Sequence, residues 1–536
     1  MRLMALGFAA LTATLAACGG GGGGSTPTAV TPTPTPTCTA PQVLQGGVCV
    51  TPTPTPVTCT APQVLQNGVC VTPVVATPAP TVNISISQPK TTVGSSVTVT
   101  WSSTNAKSCV GLDAMSGVKA INDSLVVTPT AGGQYTYTIS CDGDGGTAKQ
   151  SVGLVVPIPV QATSYLNAKN LNIPAQKFPI PTIGGFTAGV AFADFFGEGK
   201  LSMVGFSNVW NPDQTKRNPA GKVYFYKFDA NGNPVDATAS ILKDVTGCEA
   251  PRKVLVADFN GDGKPDVYAS CTGVEFPFNG PWPGEQTRIL LSQPDGTYTN
   301  EATGLNCYCH SSAAADLNGD GKVDIMTSDW LIGVQTTDPN VVQPSAVIIM
   351  TNDGTGHFTI KHDTNFQVVP QTIITDRNSG TIYPKNNAFG TIELVDVNGD
   401  SKVDLVMGSG DDNNTTFYMP HYIFSNNGNG TFSKFATFLT GDNVNFWALD
   451  IIVRGSDVFI YGANNGQTAN NTMAYTYLKV IKYNVNTKAV STVWNSNGKT
   501  WPAAAFQPTD FVWMMPYNNN LVPYNAAFGE VIPLNP

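Results

Sequence analysis

The chain has 536 residues, more than one hydrophobic core usually serves, so its length predicts several domains. Its net charge is -9, from 28 Lys and Arg against 37 Asp and Glu, and it has no basic run, so nucleic acid is excluded as an expected partner. Charged residues make up only 12% of the chain, whereas Gly (53) and Pro (39) are abundant. This composition favours an exported, all-β protein.

Residues 1–18 have the pattern of an export signal. Arg2 precedes an apolar run over residues 3–17, which has signal-peptide length and is too short to span a bilayer. The run ends in LAAC (residues 15–18) followed by Gly19, and this resembles the lipobox of bacterial lipoproteins; an ordinary signal peptide is the alternative. The resemblance implies lipidation of Cys18 and contact with a membrane through the lipid anchor alone. It also implies a place at the bacterial outer membrane, facing the cell surface or the periplasm.

Residues 19–80 form a predicted linker, a Gly run followed by Thr-Pro repeats that cannot bury a core. Two near-copies lie in it, CTAPQVLQGGVC (38–49) and CTAPQVLQNGVC (59–70), and their Gly-Gly and Asn-Gly pairs favour hairpin turns. Besides Cys18 there are ten cysteines, an even number in an oxidising compartment. We therefore expect disulfides Cys38–Cys49 and Cys59–Cys70. Zinc is the alternative, but no His or Cys-x-x-Cys lies nearby.

Residues 81–157 alternate apolar and polar positions in segments such as VNISIS, SVTVTWSS and QYTYTIS. This period of two, with Gly turns between segments, predicts a small β-sandwich. The segment resembles the Ig-like domains of bacterial surface proteins, which implies a spacer and a Cys109–Cys141 disulfide. Trp101 precedes the first cysteine, whereas antibody domains place their Trp between the two, so the topology stays open.

One nine-residue acidic loop recurs between residues 161 and 536. It starts at Asp194, Asp258, Asp316 and Asp396, and further starts without an acidic cage lie at Asp450 and Asp510. The starts are 54 to 80 residues apart, and all but the Asp510 unit carry a later turn (DANGNPVD, QPDGTYT, TNDGTGHF, SNNGNGTF and NVNTK). Four strands per unit set radially predict a β-propeller of six or seven blades. The stretch YLNAKNLNIP (165–174) is expected to help close the ring.

Oxygen donors at loop positions 1, 3, 5 and 9, with the carbonyl of position 7, suit calcium better than zinc or magnesium. An EF-hand is excluded, because position 12 is not Glu and the flanks are strands. The loops resemble the calcium loops of FG-GAP/VCBS repeats, as in integrin α-subunit propellers and many bacterial surface proteins, which implies about three structural Ca²⁺ sites. The expected ligands are Asp258, Asn260, Asp262, Lys264 (carbonyl) and Asp266; Asp316, Asn318, Asp320, Lys322 (carbonyl) and Asp324; and Asp396, Asn398, Asp400, Lys402 (carbonyl) and Asp404.

Two loops depart from the pattern. The first has Phe196, Glu198 and Ser202 at positions 3, 5 and 9, so we predict a turn without tightly held metal. The fourth has Ser401 in place of the second Gly, and we still predict binding there.

Long insertions separate the predicted second and third strands of these units and are expected on the face opposite the calcium loops. They carry aromatic residues that suit sugar rings or a protein partner; the alternative is that these side chains cover the loops' own small cores. The ligand-face candidates are Trp210, Phe276, Trp282, Trp330, Phe417 and Tyr418.

No catalytic constellation is evident, because the four His are spread over residues 310–421 and there is no Gly-x-Ser-x-Gly or His-Glu-x-x-His. The sequence thus predicts a monomeric adhesion or binding module for polysaccharide or protein. A polysaccharide lyase or glycoside hydrolase using Asp411, Asp412 or Glu285, and an architectural envelope protein, are the alternatives. Cys248–Cys271 is expected to pair; Cys307 and Cys309 pair with each other or elsewhere.

Overall fold

The computed structural model describes residues 37–52, 56–73, 76–159, 186–209, 211, 213, 216–273, 284–329, 347–362, 372–375, 382–385, 389–409, 421–438, 446–467, 473–495, 514–517 and 520–523. Several predictions concern residues outside these ranges: the lipidation of Cys18, the closing stretch 165–174, the Asp510 start, the carboxylates Asp411 and Asp412, and the aromatic residues Trp210, Phe276, Trp282, Trp330, Phe417 and Tyr418.

The two cysteine repeats lie in the first compact unit, residues 1–77, and each forms a two-stranded hairpin. The strands are β1 (Val43–Gln45), β2 (Val48–Val50), β3 (Val64–Gln66) and β4 (Val69–Val71). Both turn residues of each hairpin have positive φ, 65° and 87° at Gly46 and Gly47, as a type I′ turn requires. The predicted disulfides Cys38–Cys49 and Cys59–Cys70 are confirmed.

The second compact unit, residues 78–536, begins with the predicted sandwich. Its seven strands are β5 (Thr81–Ile86), β6 (Val97–Thr104), β7 (Ser108–Asp113), β8 (Gly117–Lys119), β9 (Asp123–Val127), β10 (Gly133–Gly143) and β11 (Gly146–Val156). One sheet has the order β5-β6-β9 and the other β11-β10-β7-β8, with Trp101, Ile139 and Leu154 in the core. Cys109 and Cys141 are bonded, but they face each other in neighbouring strands of one sheet, unlike the inter-sheet disulfide of antibody domains.

The remaining strands confirm the predicted all-β propeller. Five four-stranded antiparallel sheets follow the chain order, and the first strands of successive sheets pack side by side. Blade 1 contains β12 (Phe186–Ala193), β13 (Ser202–Asn208), β14 (Val223–Phe228) and β15 (Pro234–Asp236), followed by a short helix α1 (Thr238–Ile241); blade 2 contains β16 (Pro251–Ala257), β17 (Asp266–Cys271), β18 (Glu285–Ser292) and β19 (Tyr298–Cys307); blade 3 contains β20 (Cys309–Ala315), β21 (Asp324–Asp329), β22 (Val347–Asn352) and β23 (Phe358–His362).

A hairpin of β24 (Thr372–Thr375) and β25 (Ile382–Lys385) separates blades 3 and 4 in the chain. Blade 4 contains β26 (Phe389–Val395), β27 (Asp404–Ser409), β28 (His421–Asn426) and β29 (Phe432–Phe438); blade 5 contains β30 (Phe446–Arg454), β31 (Asp457–Gln467), β32 (Met473–Asn484) and β33 (Val490–Asn495); a last hairpin contains β34 (Met514–Tyr517) and β35 (Asn520–Pro523). The described residues thus include five complete blades, and a total of six or seven stays a prediction. None of the helices in this part of the chain has the length and apolar character needed to cross a membrane.

Apolar side chains of neighbouring blades interlock, so the core runs between sheets rather than within one. Val204 and Phe225 of blade 1 share a cluster with Val256 and Val267 of blade 2, and similar clusters join blades 2 to 3, 3 to 4 and 4 to 5. First strands also meet across the ring: the buried Lys253 ammonium of β16 donates to the Ile392 carbonyl of β26 at 2.9 Å and lies 3.3 Å from the Glu393 carboxylate.

The predicted turns between third and fourth strands are confirmed in all five blades, at residues 229–233, 293–297, 353–357, 427–431 and 485–489. The start at Asp450 was wrong. Asp450 lies inside β30, opposite Tyr461, and the chain turns only at Gly455 and Ser456, where Gly455 has φ of 56°. Apolar residues on both sides of Asp450 extend the strand past it, so a two-residue turn joins the first two strands of blade 5.

Candidate calcium loops and the opposite face

The three acidic loops connect the first and second strands of blades 2, 3 and 4 and share one backbone conformation. Loop positions 4 and 6 have left-handed φ in every copy, 77° and 78° at Gly261 and Gly263 in blade 2, for example. Ser401, the non-glycine residue in blade 4, adopts φ of 68° at the same place. The loops are therefore three copies of one structure, as the sequence predicts.

The carboxylate at position 1 holds the loop closed from inside. In blade 2, Asp258 Oδ1 accepts the N–H of Gly261 at 2.7 Å and Oδ2 accepts that of Gly263 at 2.8 Å. The equivalent bonds recur for Asp316 with Gly319 and Gly321, and for Asp396 with Gly399 and Ser401. Burial raises the pKa of Asp258, although these N–H donors oppose that rise.

The carboxylate at position 9 ties the loop to the third strand of its blade. Asp266 is fully buried; Oδ2 accepts the Phe259 N–H at 2.8 Å, and Oδ1 accepts both the N–H and the hydroxyl of Ser292 at 2.7 Å. Asp324 and Asp404 bind in the same way, to residues 317 and 352 and to residues 397 and 426. Burial raises the pKa of Asp266 to about 7, and that of Asp324 and Asp404 to about 6.

The residues at positions 3, 5 and 7 complete the rim of the loop. In blade 2, Asn260 Oδ1 accepts the N–H of Asp262, and Asp262 Oδ1 accepts the N–H of Lys264. The Lys264 ammonium lies 3.4 Å from the Asp262 carboxylate, and Lys322 lies 3.5 Å from Asp320 in blade 3. Sequence reasoning considered only the carbonyl of position 7 and missed this ion pair, although a Lys occupies the position in all four loops.

The donor chemistry fits calcium, because all side-chain donors are carboxylate or amide oxygens. Their spacing is wider than in a bound site. In the described part of the chain, the one group of three acidic or sulfur side chains with ligand atoms within 4.8 Å of one another is Cys248, Cys271 and Glu285. Those two cysteines form the predicted disulfide and cannot ligate as thiolates. The oxygens of each loop would thus have to draw closer to coordinate one ion.

Position 2 provides a link between blades that the sequence reasoning missed. The side chains of Phe195, Phe259, Leu317 and Val397 are all buried. The carbonyl at this position accepts a hydrogen bond from the following blade: Phe259 from Asn352 Nδ2 at 2.8 Å, Leu317 from Asn426 Nδ2 at 3.0 Å, and Phe195 from Tyr298 Oη at 3.4 Å. The available signal was the Asn that ends the third strand in both TND and SNN.

The loop of blade 1 has the predicted turn conformation with different chemistry. Phe196 at position 3 lies beneath the Lys227 ammonium, 4.4 Å from its ring centroid, and Glu198 at position 5 pairs with the same ammonium at 2.5 Å. Ser202 at position 9 accepts the Phe195 N–H and donates to the Ala193 carbonyl. The position-9 carboxylate of the other loops is thus replaced by a neutral hydroxyl.

The opposite face is where second strands end and third strands begin. At this end of blade 2, Glu285 accepts the N–H of Glu249 at 2.8 Å and of Ala250 at 3.4 Å, while Arg217 lies 2.9 Å from the Glu249 carboxylate. Burial raises the pKa of Glu285 to about 7. The Cys307–Cys309 pair forms and joins blade 2 to blade 3. All of the aromatic ligand-face candidates fall on segments outside the described residues.

Comparison with known proteins adds little. No protein-family model matches the chain, and no curated protein matches it. Similar solved structures include a protein of unknown function from Bacteroides thetaiotaomicron (12% identity, 77% of this chain and 86% of that one, TM-score 0.30), the Dos1 propeller (12%, 62% and 65%, 0.28) and a NanB sialidase mutant from Streptococcus pneumoniae (8%, 84% and 90%, 0.24). These TM-scores are too low to support an argument, so the fold rests on the strand arrangement itself.

Proposed function

We propose that this protein is a lipid-anchored, calcium-braced propeller that acts as a binding module for polysaccharide or protein at the bacterial surface. One observation carries the proposal: three copies of one acidic loop occupy one face, while the long second-to-third strand connections belong to the other. The first face braces the blades, which leaves the second free to present a ligand site on a rigid scaffold.

The residues that would hold calcium are the side chains at positions 1, 3, 5 and 9 of the three loops. Bound calcium supplies positive charge to carboxylates whose burial already raises their pKa. The loop residues themselves fix the first strand to the second through position 1 and to the third through position 9. This arrangement supports a structural role for the metal.

Support for the ligand comes from the aromatic residues in the insertions, because flat apolar rings stack on sugars and anchor protein partners. A polysaccharide lyase or glycoside hydrolase is the second candidate, and the raised pKa of Glu285 favours it, because a carboxyl group that titrates near pH 7 suits general acid catalysis. The Glu285 carboxylate also accepts hydrogen bonds from the backbone N–H groups of Glu249 and Ala250. These bonds give Glu285 a structural role that needs no catalysis, so binding is the better supported function.

The test is binding of the intact chain to an array of glycans, with Trp282→Ala and Trp330→Ala compared with the wild type. Phe435→Ala is the matched control, because Phe435 is a 48% exposed aromatic on β29, the fourth strand of blade 4, and is not part of an insertion sequence. We expect both Trp variants to lose binding and the control to keep it. Breakdown of a glycan that Glu285→Gln abolishes would establish the enzyme instead, and neither binding nor breakdown would favour an architectural protein.

A further inference from the structure

The loop of blade 1 differs from the other three in what lies against it. Asp194 is 3% exposed, and its Oδ2 accepts the N–H of Ile158 at 3.0 Å as well as that of Gly199 at 2.7 Å. Ile158 belongs to the segment that leaves β11, the last strand of the sandwich. The position-1 carboxylates of blades 2 to 4 accept the hydrogen bonds described above from their own loops. The blade 1 carboxylate is therefore shared between two domains.

The sandwich also supplies a cation and an amide to this loop. Lys90 Nζ lies 3.0 Å from where a Cβ on Gly197 would be, which places the ammonium directly over the loop. Gln134 Nε2 donates to the Glu198 carbonyl at 2.9 Å. Burial raises the pKa of Asp194, and the Lys90 charge acts against that rise, as a bound cation would. Three donor groups from the sandwich side thus converge on one loop.

Steric fit distinguishes blade 1 from its equivalents. A Cβ on Gly199, at loop position 6, would lie 2.3 Å from the Gly133 carbonyl oxygen and 2.9 Å from that of Val156. The same position is open in blades 2 and 3, where a Cβ on Gly263 or Gly321 would meet nothing within 4 Å. Blade 4 has Ser401 there with φ of 68°, so the left-handed conformation alone does not demand glycine. In blade 1, close approach of the sandwich does.

We propose that the first acidic loop is a docking site for the sandwich domain, in which Lys90 and the Ile158 N–H take the place that a cation is proposed to occupy in blades 2 to 4. The sandwich is then fixed on blade 1 without calcium, as a spacer that is docked on the propeller. It sets the direction in which the propeller is presented. The docking does not depend on whether the other loops bind metal.

The test is hydrogen–deuterium exchange of the intact, disulfide-bonded chain in the presence of a chelator. Ile158 lies between Pro157 and Pro159, which have no N–H, so exchange in this short stretch reports one amide. We expect Gly199→Ser and Lys90→Met each to speed exchange at Ile158 about tenfold or more, because undocking of the sandwich would move this amide away from the Asp194 carboxylate. The matched controls are Gly321→Ser, with the same strain in an open loop, and Lys149→Met, an exposed lysine of β11.

We expect both controls to exchange as the wild type does, and calcium to leave wild-type exchange at Ile158 unchanged. Wild-type exchange in both Gly199→Ser and Lys90→Met would overturn the proposal. The proposal would also be overturned if the chelator sped exchange at Ile158 in the wild type as much as the two substitutions do. Circular dichroism identifies a variant that fails to fold; should Gly199→Ser fail, Lys90→Met decides, since it removes charge without adding bulk to the loop.

Discussion

At the scale of single residues, two buried histidines make the stability of this propeller depend on pH. His421, the first residue of β28, is 1% exposed and lies with its ring 5.2 Å from that of Phe438. Burial lowers the pKa of His421 to about 3, and that of His310 falls well below its usual range for the same reason. Both side chains therefore stay neutral in the folded protein at pH values where the unfolded chain is protonated.

This difference predicts a loss of stability in acid. Between pH 6.5 and about 3 the unfolded state binds the proton at His421 and the folded state does not, so stability falls as the pH falls. From pH 7 to 4.5 the wild type should lose about 2–3 kcal/mol more than His421→Gln does. The pKa of Glu285 is raised in the folded state, so its contribution to stability increases as the pH falls. This contribution is the same in both proteins and therefore cancels in the comparison.

The measurement is urea denaturation of both proteins across that pH range. His357→Gln is the control, because the His357 side chain is 66% exposed and remains in solvent when the chain folds. We expect the control to follow the wild type. Parallel pH profiles for the wild type and His421→Gln would contradict the assignment of the loss to His421.

At the scale of elements, the third strands of blades 3 and 4 are each joined to the preceding blade through the Asn that ends them. Asn352 is 2% exposed; its Nδ2 donates to the Phe259 carbonyl of blade 2 and to the Val323 carbonyl of its own loop, and its Oδ1 accepts the N–H groups of Gly354 and Gly356. One side chain thus joins two loops and a turn.

Asn352→Ala should lower the free energy of unfolding by about 3–5 kcal/mol, because several buried backbone groups lose their partners at once. The control is Asn427→Ala in the corresponding turn of blade 4, where the exposed side chain bonds with Thr431 and Ser433, and we expect a change within about 0.5 kcal/mol. Chemical denaturation without calcium gives both values. Equal losses in the two variants would show that Asn352 does not link the blades.

The sequence predicts features that repeat within one stretch of chain and misses those that join stretches. The Asp at positions 1 and 9, the left-handed glycines and the turns follow from local chemistry, and so do the hairpin disulfides. The bond from Asn352 to Phe259 depends on how closely two blades pack, which no local pattern encodes. Asp450 was misplaced because the apolar residues before it resemble those before the acidic loops, whereas the apolar residues after it continue the strand.

At the scale of the whole molecule, the sandwich and the propeller form one compact unit, whereas the two cysteine hairpins belong to the other. The four nine-residue loops between first and second strands have two different roles in these proposals. The loop of blade 1 meets the sandwich, and those of blades 2 to 4 keep their carboxylates for a cation in the proposed function. In these two proposals, one repeated loop serves domain docking in blade 1 and metal binding in blades 2 to 4, distinguished by the residues at positions 3, 5 and 9.

This division predicts how bound calcium would stabilise the molecule. Ions that bind only the folded state raise the free energy of unfolding by mass action, and three equal sites at 100 times their Kd would contribute about 8 kcal/mol. At calcium concentrations above the Kd, the unfolding free energy rises linearly with the natural logarithm of the calcium concentration. The slope divided by RT equals the number of ions released on unfolding, so the wild type should give three. Asp258→Asn, Asp316→Asn and Asp396→Asn should each give two, and the triple variant none. Asp194→Asn should keep the number at three, because its carboxylate serves the sandwich; a number of two there, or of three in Asp316→Asn, would refute the division of labour among the loops.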